Sequence, residues 1–162
     1  MPLFPAMNAP YIHLIFSHLP VTGVPISLLI FLIAYVKKSH QIFIAGCWVL
    51  LIVSLGAIPT YWAGEPAEEI VKHLPHFNEQ IFERHEAWGQ YALMSTLLSG
   101  FLALVCLFYD SFRKSVIKPL VIATVAWVIV NAAILLVTAN YGGKVNHQEI
   151  RGSSVTYQET ED

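Results

Sequence analysis

Charge is what this sequence has least of. Only 12% of its 162 residues are Asp, Glu, Lys or Arg, about half of the ~25% usual in a soluble domain. No charge precedes Lys37, and the stretches 39–64, 87–109 and 119–143 hold none. Each of these four uncharged runs exceeds the ~20 residues that cross a bilayer as helix, and a chain this short cannot hide four of them in a water-soluble core. A basic excess is missing too: nine Lys and Arg against eleven Asp and Glu give a formal charge of −2, which excludes a nucleic-acid partner. Cysteine is limited to Cys47 and Cys106, both inside apolar runs, where they read as small fillers and not as a disulfide framework. Several catalytic signatures are absent. His85-Glu86 is followed by Ala87, Trp88 and Gly89, so there is no H-E-x-x-H zinc helix; nor is there a C-x-x-C-H haem attachment, a G-x-S-x-G elbow or a Walker loop. No basic segment precedes the first apolar run, so the first helix is expected to act as its own insertion signal.

The expected fold is all-α: an integral membrane four-helix bundle formed by residues 1–151 as one domain, followed by a flexible tail over 152–162 rich in Gly, Ser, Thr and Glu. The apolar runs place the helices at about 11–36, 40–64, 85–109 and 119–141. Pro20 and Pro25 each remove a backbone donor, which predicts a kinked or locally unwound first helix. Gly142-Gly143 is expected to stop the last one. Between the second and third runs, Gly64-Glu65-Pro66-Ala67-Glu68-Glu69 reads as the start of a short amphipathic helix, with proline in the first turn and carboxylates near the positive end of the dipole. Leu74-Pro75 ends it, and Asn78 is the expected N-cap of a turn leading into the third membrane helix. Gly46, Gly56, Ser95, Ser99, Gly100 and Ala103 suit close helix packing, and Asn131 reads as an interhelical hydrogen bond. Tyr61, Glu69 and Ile70 recur eighty positions later as Tyr141, Glu149 and Ile150, a faint sign of a repeated hairpin.

Lys37, Lys38, Arg113, Lys114 and Lys118 sit on the two short connections. The positive-inside rule then puts these in the cytoplasm and both termini outside. Six of the seven histidines fall on the outward side: His13 and His18 in the first helix, His73 and His76 around Pro75, His85 at the start of the third and His147 after the fourth. His73 and His76 read as solvated. His18 lies about 7 Å deeper than His13 and about 140° around the helix from it, and an ionisable group inside a membrane segment marks a function by default. His18, His85 and His147, with His13 close by, are therefore the expected ligands of one outward-facing site. Neutral imidazole suits the axial positions of haem b, and equally a Zn, Cu or Fe ion. Glu65, Glu86 and Glu149 stand near as supporting groups. Tyr61, Trp62, Trp88 and Tyr141 can supply flat apolar walls, while Arg84, Lys144 and Arg151 suit the propionates of a haem.

Taken together, these segments look familiar. His13-Leu14-Ile15-Phe16-Ser17-His18-Leu19-Pro20-Val21 resembles the H-P-x-x-V-H-F-P-I opening of a bacterial family of uncharacterised four-helix membrane proteins. Tyr61-Trp62-Ala63-Gly64-Glu65-Pro66-Ala67-Glu68-Glu69, His85-Glu86 and Gly142-Gly143-Lys144-Val145-Asn146-His147-Gln148-Glu149-Ile150 resemble its T-G-E-P-A-E-E, H-E and G-G-x-I-R-H-x-E-I motifs. The resemblance spans roughly residues 11–151 and implies the four-helix architecture and the same His and Glu positions, without an activity. Leu14 stands where the family has proline and Asn146 where it has arginine, so Arg151 or Lys144 must supply the basic group beside His147. The function expected is electron transfer through haem b, with a respiratory-chain or periplasmic redox partner. The alternatives are a non-catalytic membrane subunit or anchor, and a non-haem metal-dependent enzyme. Lipid is the expected surrounding, and association with a second copy is compatible with it.

Overall fold

In a computed structural model, which describes residues 9–73, 77–147 and 150–151, the chain is all-α. It forms α1 (Ala9–Lys37), α2 (His40–Trp62), the short α3 (Gly64–Val71), α4 (Glu79–Arg113) and α5 (Lys118–Asn146). All but α3 are long and apolar enough to cross a membrane. Only 22–44% of the most apolar stretch of each is covered by the rest of the chain. The uncovered faces carry Leu29, Leu32, Ile52, Phe101, Phe108, Ile122 and Leu136, and apolar surface on that scale calls for lipid.

Helix ends follow local chemistry. Ser39 and Asn78 cap α2 and α4, their side-chain oxygens accepting from the amides of Ile42 and Ile81. Lys38 and Lys114, in left-handed backbone, end α1 and α4 and allow the tight turns into α2 and α5. The turn expected ahead of the third membrane helix is the beginning of α4 itself, which runs unbroken from Glu79. Local unwinding at Pro20 and Pro25 does not occur: both lie inside a continuous helix. Gly142 and Gly143, expected to stop the last helix, lie within α5, which runs on to Asn146.

The helices pack α1 on α2, α2 on α4, α4 on α5 and α5 back on α1, so α1 and α4 stand on one diagonal. The short helix α3 packs on α1 and α2 through Ala67. The core contains Val24, Phe31, Leu50, Val53, Ala103, Val128 and Leu135 together with both cysteines. Polar residues stitch α4 to α5. Asn131, fully buried, accepts from the hydroxyls of Ser95 at 2.8 Å and Thr96 at 3.1 Å and donates to Ser99 at 2.9 Å. Trp127 adds a bond from its indole N–H to the Ser95 carbonyl. The interhelical role expected of Asn131 is thus met, and every polar side-chain atom buried among the described residues has a partner, as an apolar interior requires.

Candidate functional site: two histidines across the bundle

At the end of the bundle that carries α3, His13 of α1 and His85 of α4 reach toward each other across the diagonal. Their ring centres are 6.2 Å apart and the ring planes stand at 80°. Each ring is fixed by a backbone carbonyl of the next helix. His13 Nδ1 lies 2.8 Å from the Thr60 carbonyl oxygen of α2, and His85 Nδ1 lies 3.1 Å from that of Thr138 in α5. A carbonyl oxygen only accepts, so both Nδ1 atoms must carry the proton. In the neutral rings the lone pairs then sit on Nε2. This tautomer, with the second nitrogen bonded to a carbonyl, is the arrangement that presents an imidazole to a metal.

The two halves of the site are built alike. Gly64 follows Thr60 by four residues and borders His13; Gly142 follows Thr138 by four and borders His85. A Cβ added at Gly64 would stand 3.7 Å from His13 Nδ1, in ordinary contact, whereas one at Gly142 would stand 2.9 Å from His85 Cε1. Glycine is needed at 142 because the imidazole lies directly on the helix backbone. Gly142 thus has a packing role inside α5, which runs on to Asn146. The α1–α2 hairpin thus matches α4–α5 with an offset of 78 at the threonines and glycines and 72 at the histidines. The sequence echo at eighty is not the register that the site uses.

The remaining expected residues divide. His18 is exposed, its Nδ1 turned back on the Leu14 carbonyl at 2.6 Å, and no contact joins it to His13 or His85. The continuous helix keeps the rotation of about 140° between positions 13 and 18, so when one faces the bundle centre the other faces outward. His147 is exposed at the C-cap of α5. His73 bonds to the Glu69 carbonyl at 2.8 Å. His76 and Glu149 lie outside the described residues. Glu65 and Glu86 are exposed. Among the described residues no three His, Cys, Asp or Glu side chains come together as a metal-binding group. Arg151 donates to the carbonyls of Lys144 at 2.7 Å and Val145 at 2.8 Å, satisfying the end of α5. Arg84 reaches the Tyr141 hydroxyl at 3.4 Å, and the Lys144 ammonium lies 5.7 Å from the centre of that ring. Lys72 is taken up by Glu68, 2.6 Å away, whose carboxylate holds the ammonium pKa above its usual value. Of the expected aromatic walls, Trp88 lines an open apolar cleft of about 700 Å³ between α4 and α5 with Tyr91, Met94, Leu98 and Trp127. Trp62 is exposed.

At the opposite end, His40 Nε2 and Asp110 Oδ1 approach to 2.6 Å and join the start of α2 to the end of α4. This pair went unread because His40 and Asp110 are the single histidine and single acid on that side, seventy residues apart. Comparisons with protein-family models, with curated proteins and with solved structures find no match.

Proposed function

We propose that this chain is a multi-pass membrane protein that binds haem b between His13 and His85 and passes electrons through it. One observation carries the reading: two imidazoles from diagonal helices, each anchored through Nδ1–H, with ring centres 6.2 Å apart. A metal–imidazole bond is about 2.0–2.1 Å, and the ring centre lies roughly 1.1 Å beyond the nitrogen. Two rings on opposite sides of one ion therefore have centres about 6.3 Å apart, against about 5.1 Å at a tetrahedral ion. The 6.2 Å separation favours the opposed arrangement. The number of ligands supports the same reading. Haem iron takes four nitrogens from its macrocycle and asks the protein for two, whereas a zinc site asks for three or four. Two imidazoles fit the first demand.

Bound there, the haem would supply reversible one-electron chemistry. His13 and His85 would hold it through Nε2, while the Thr60 and Thr138 carbonyls fix both tautomers and the helices provide a medium of low dielectric. The lysines and arginines on the two short connections favour the α3 end as the outward side of a bacterial inner membrane. An outward haem suits a periplasmic or respiratory-chain redox partner, and a second copy of the chain can pack against the exposed apolar faces.

The test is reconstitution. Protein purified in mild detergent and titrated with haem is expected to take up one equivalent and show an intense Soret band that sharpens and shifts on reduction. A stoichiometric zinc, copper or iron content without that spectrum establishes the non-haem metal reading instead. A colourless, metal-free protein after titration overturns both and leaves a non-catalytic subunit or anchor.

A further inference from the structure

We propose that Arg84, Tyr141 and Lys144 form a binding site for one anionic group, a carboxylate or a phosphate, on the rim beside His85. Three donors meet there. The Arg84 guanidinium donates to the Tyr141 oxygen at 3.4 Å, which leaves the phenol's own O–H free to donate elsewhere. The Lys144 ammonium stands 5.7 Å from the centre of the same ring. Among the described residues neither cation has a carboxylate partner. The ion pairs among the described residues are His40–Asp110 and Lys72–Glu68. The helix neighbours that could reach Arg84, at three and four residues either way, are Gln80, Ile81, Ala87 and Trp88; those of Lys144 within α5 are Asn140 and Tyr141. Glu83 and Glu86 sit one and two positions from Arg84, where helix geometry turns side chains apart.

Arg151 contrasts with both, because its donors go to the carbonyls of Lys144 and Val145. That contact fixes the backbone from which Lys144 projects. Location adds a second argument. Arg84 and His85 lie near the start of α4, at the end of the bundle where Tyr141 and Gly142 lie on α5, and the His85 ring rests on Gly142. Two cations against one phenol, with no carboxylate on them among the described residues, supply the kind of donors that a carboxylate or phosphate takes. Two sources carry that chemistry: the phosphate of an anionic lipid at the membrane surface, and the propionate of a haem bound at the histidines. The second source rests on the proposed function; the first does not.

The experiment uses the full chain and Arg84→Gln, Lys144→Gln and the double variant, with thermal unfolding to confirm that each is folded. In one arm the proteins are extracted from nanodiscs of mixed phosphatidylglycerol and phosphatidylcholine, and retained lipid is counted by native mass spectrometry. A lipid site appears as one phosphatidylglycerol kept by the wild type and lost from the double variant. In the other arm each protein is titrated with haem and with haem dimethyl ester, whose propionates are blocked. A propionate site appears as haem affinity about tenfold lower in the double variant, a loss the ester does not show. Either pattern supports the site. Wild-type behaviour of the double variant in both arms overturns it. A wild type that binds no haem refutes the haem reading alone, and the lipid arm then decides the anion site.

Discussion

Replacing Gly142 with alanine sets two effects of similar size against each other and separates the site from the fold. Alanine is better than glycine inside a helix by about 0.8–1.0 kcal/mol. The new Cβ, however, would lie 2.9 Å from His85 Cε1 and 3.3 Å from Nδ1. Restoring a contact of about 3.4 Å moves the ring by about 0.5 Å, on the scale at which a coordinating side chain loses its working geometry. The bond from His85 to the Thr138 carbonyl is already 3.1 Å, so the shift takes it past useful length at a cost of about 0.5–1.5 kcal/mol. Gain and loss nearly cancel, and the melting temperature is expected to change little. Haem affinity is expected to fall tenfold or more, because the displaced ring no longer faces its partner. Gly64→Ala is the control, since its Cβ would meet His13 at an ordinary 3.7 Å, and it is expected to leave affinity unchanged. Soret titration and thermal unfolding of both variants provide the readout. Equal haem affinity in Gly142→Ala and wild type would refute the reasoning, as would an equal loss in the Gly64 control.

Three further outcomes follow from the same geometry. Asn131→Leu deprives Thr96 of its side-chain partner while Ser95 and Ser99 keep carbonyl acceptors at Ala92 and Ser95; unfolding in mixed micelles should show a loss of about 1–2 kcal/mol without change in haem stoichiometry. A double-mutant cycle on His40→Ala and Asp110→Ala should return a coupling under about 1 kcal/mol that shrinks with salt, as for other partly exposed pairs; a salt-independent coupling would contradict the exposure seen here. The 80° between the ring planes should give the oxidised haem protein the highly anisotropic low-spin electron paramagnetic resonance signal of crossed imidazoles; the rhombic signal of parallel planes would count against this ligand pair.

The architecture was legible because it rests on properties that survive without tertiary information. Uncharged runs longer than a bilayer give helices; Asn78 and the Gly64–Glu69 segment declare helix starts through their own side chains; Asn131 stands out because a lone amide in an apolar helix needs a partner. The site was legible only in part. His13 and His85 were among the expected residues, but weight fell on His18 because depth along a helix can be counted from sequence, whereas the direction a helix faces within a bundle is set by its neighbours. Thr60 and Thr138 were invisible for a related reason: they act through backbone carbonyls, which leave no residue-type signal. Gly142-Gly143 reads as a terminator because glycine at a helix end and glycine under a packed imidazole look identical in one dimension. A search for T-x-x-x-G near the ends of the second and last helices would have found the repeat at 78, where matching of whole motifs had suggested eighty.

Occupancy of single variants decides whether the proposed haem is held by His13 and His85. The measurement is haem bound per protein after reconstitution and purification of His13→Ala, His85→Ala, His18→Ala and His147→Ala. Loss of the reduced-minus-oxidised bis-imidazole spectrum in the first two, with full occupancy in the last two, is the predicted result. Full occupancy with an unchanged spectrum in either His13→Ala or His85→Ala would contradict the account.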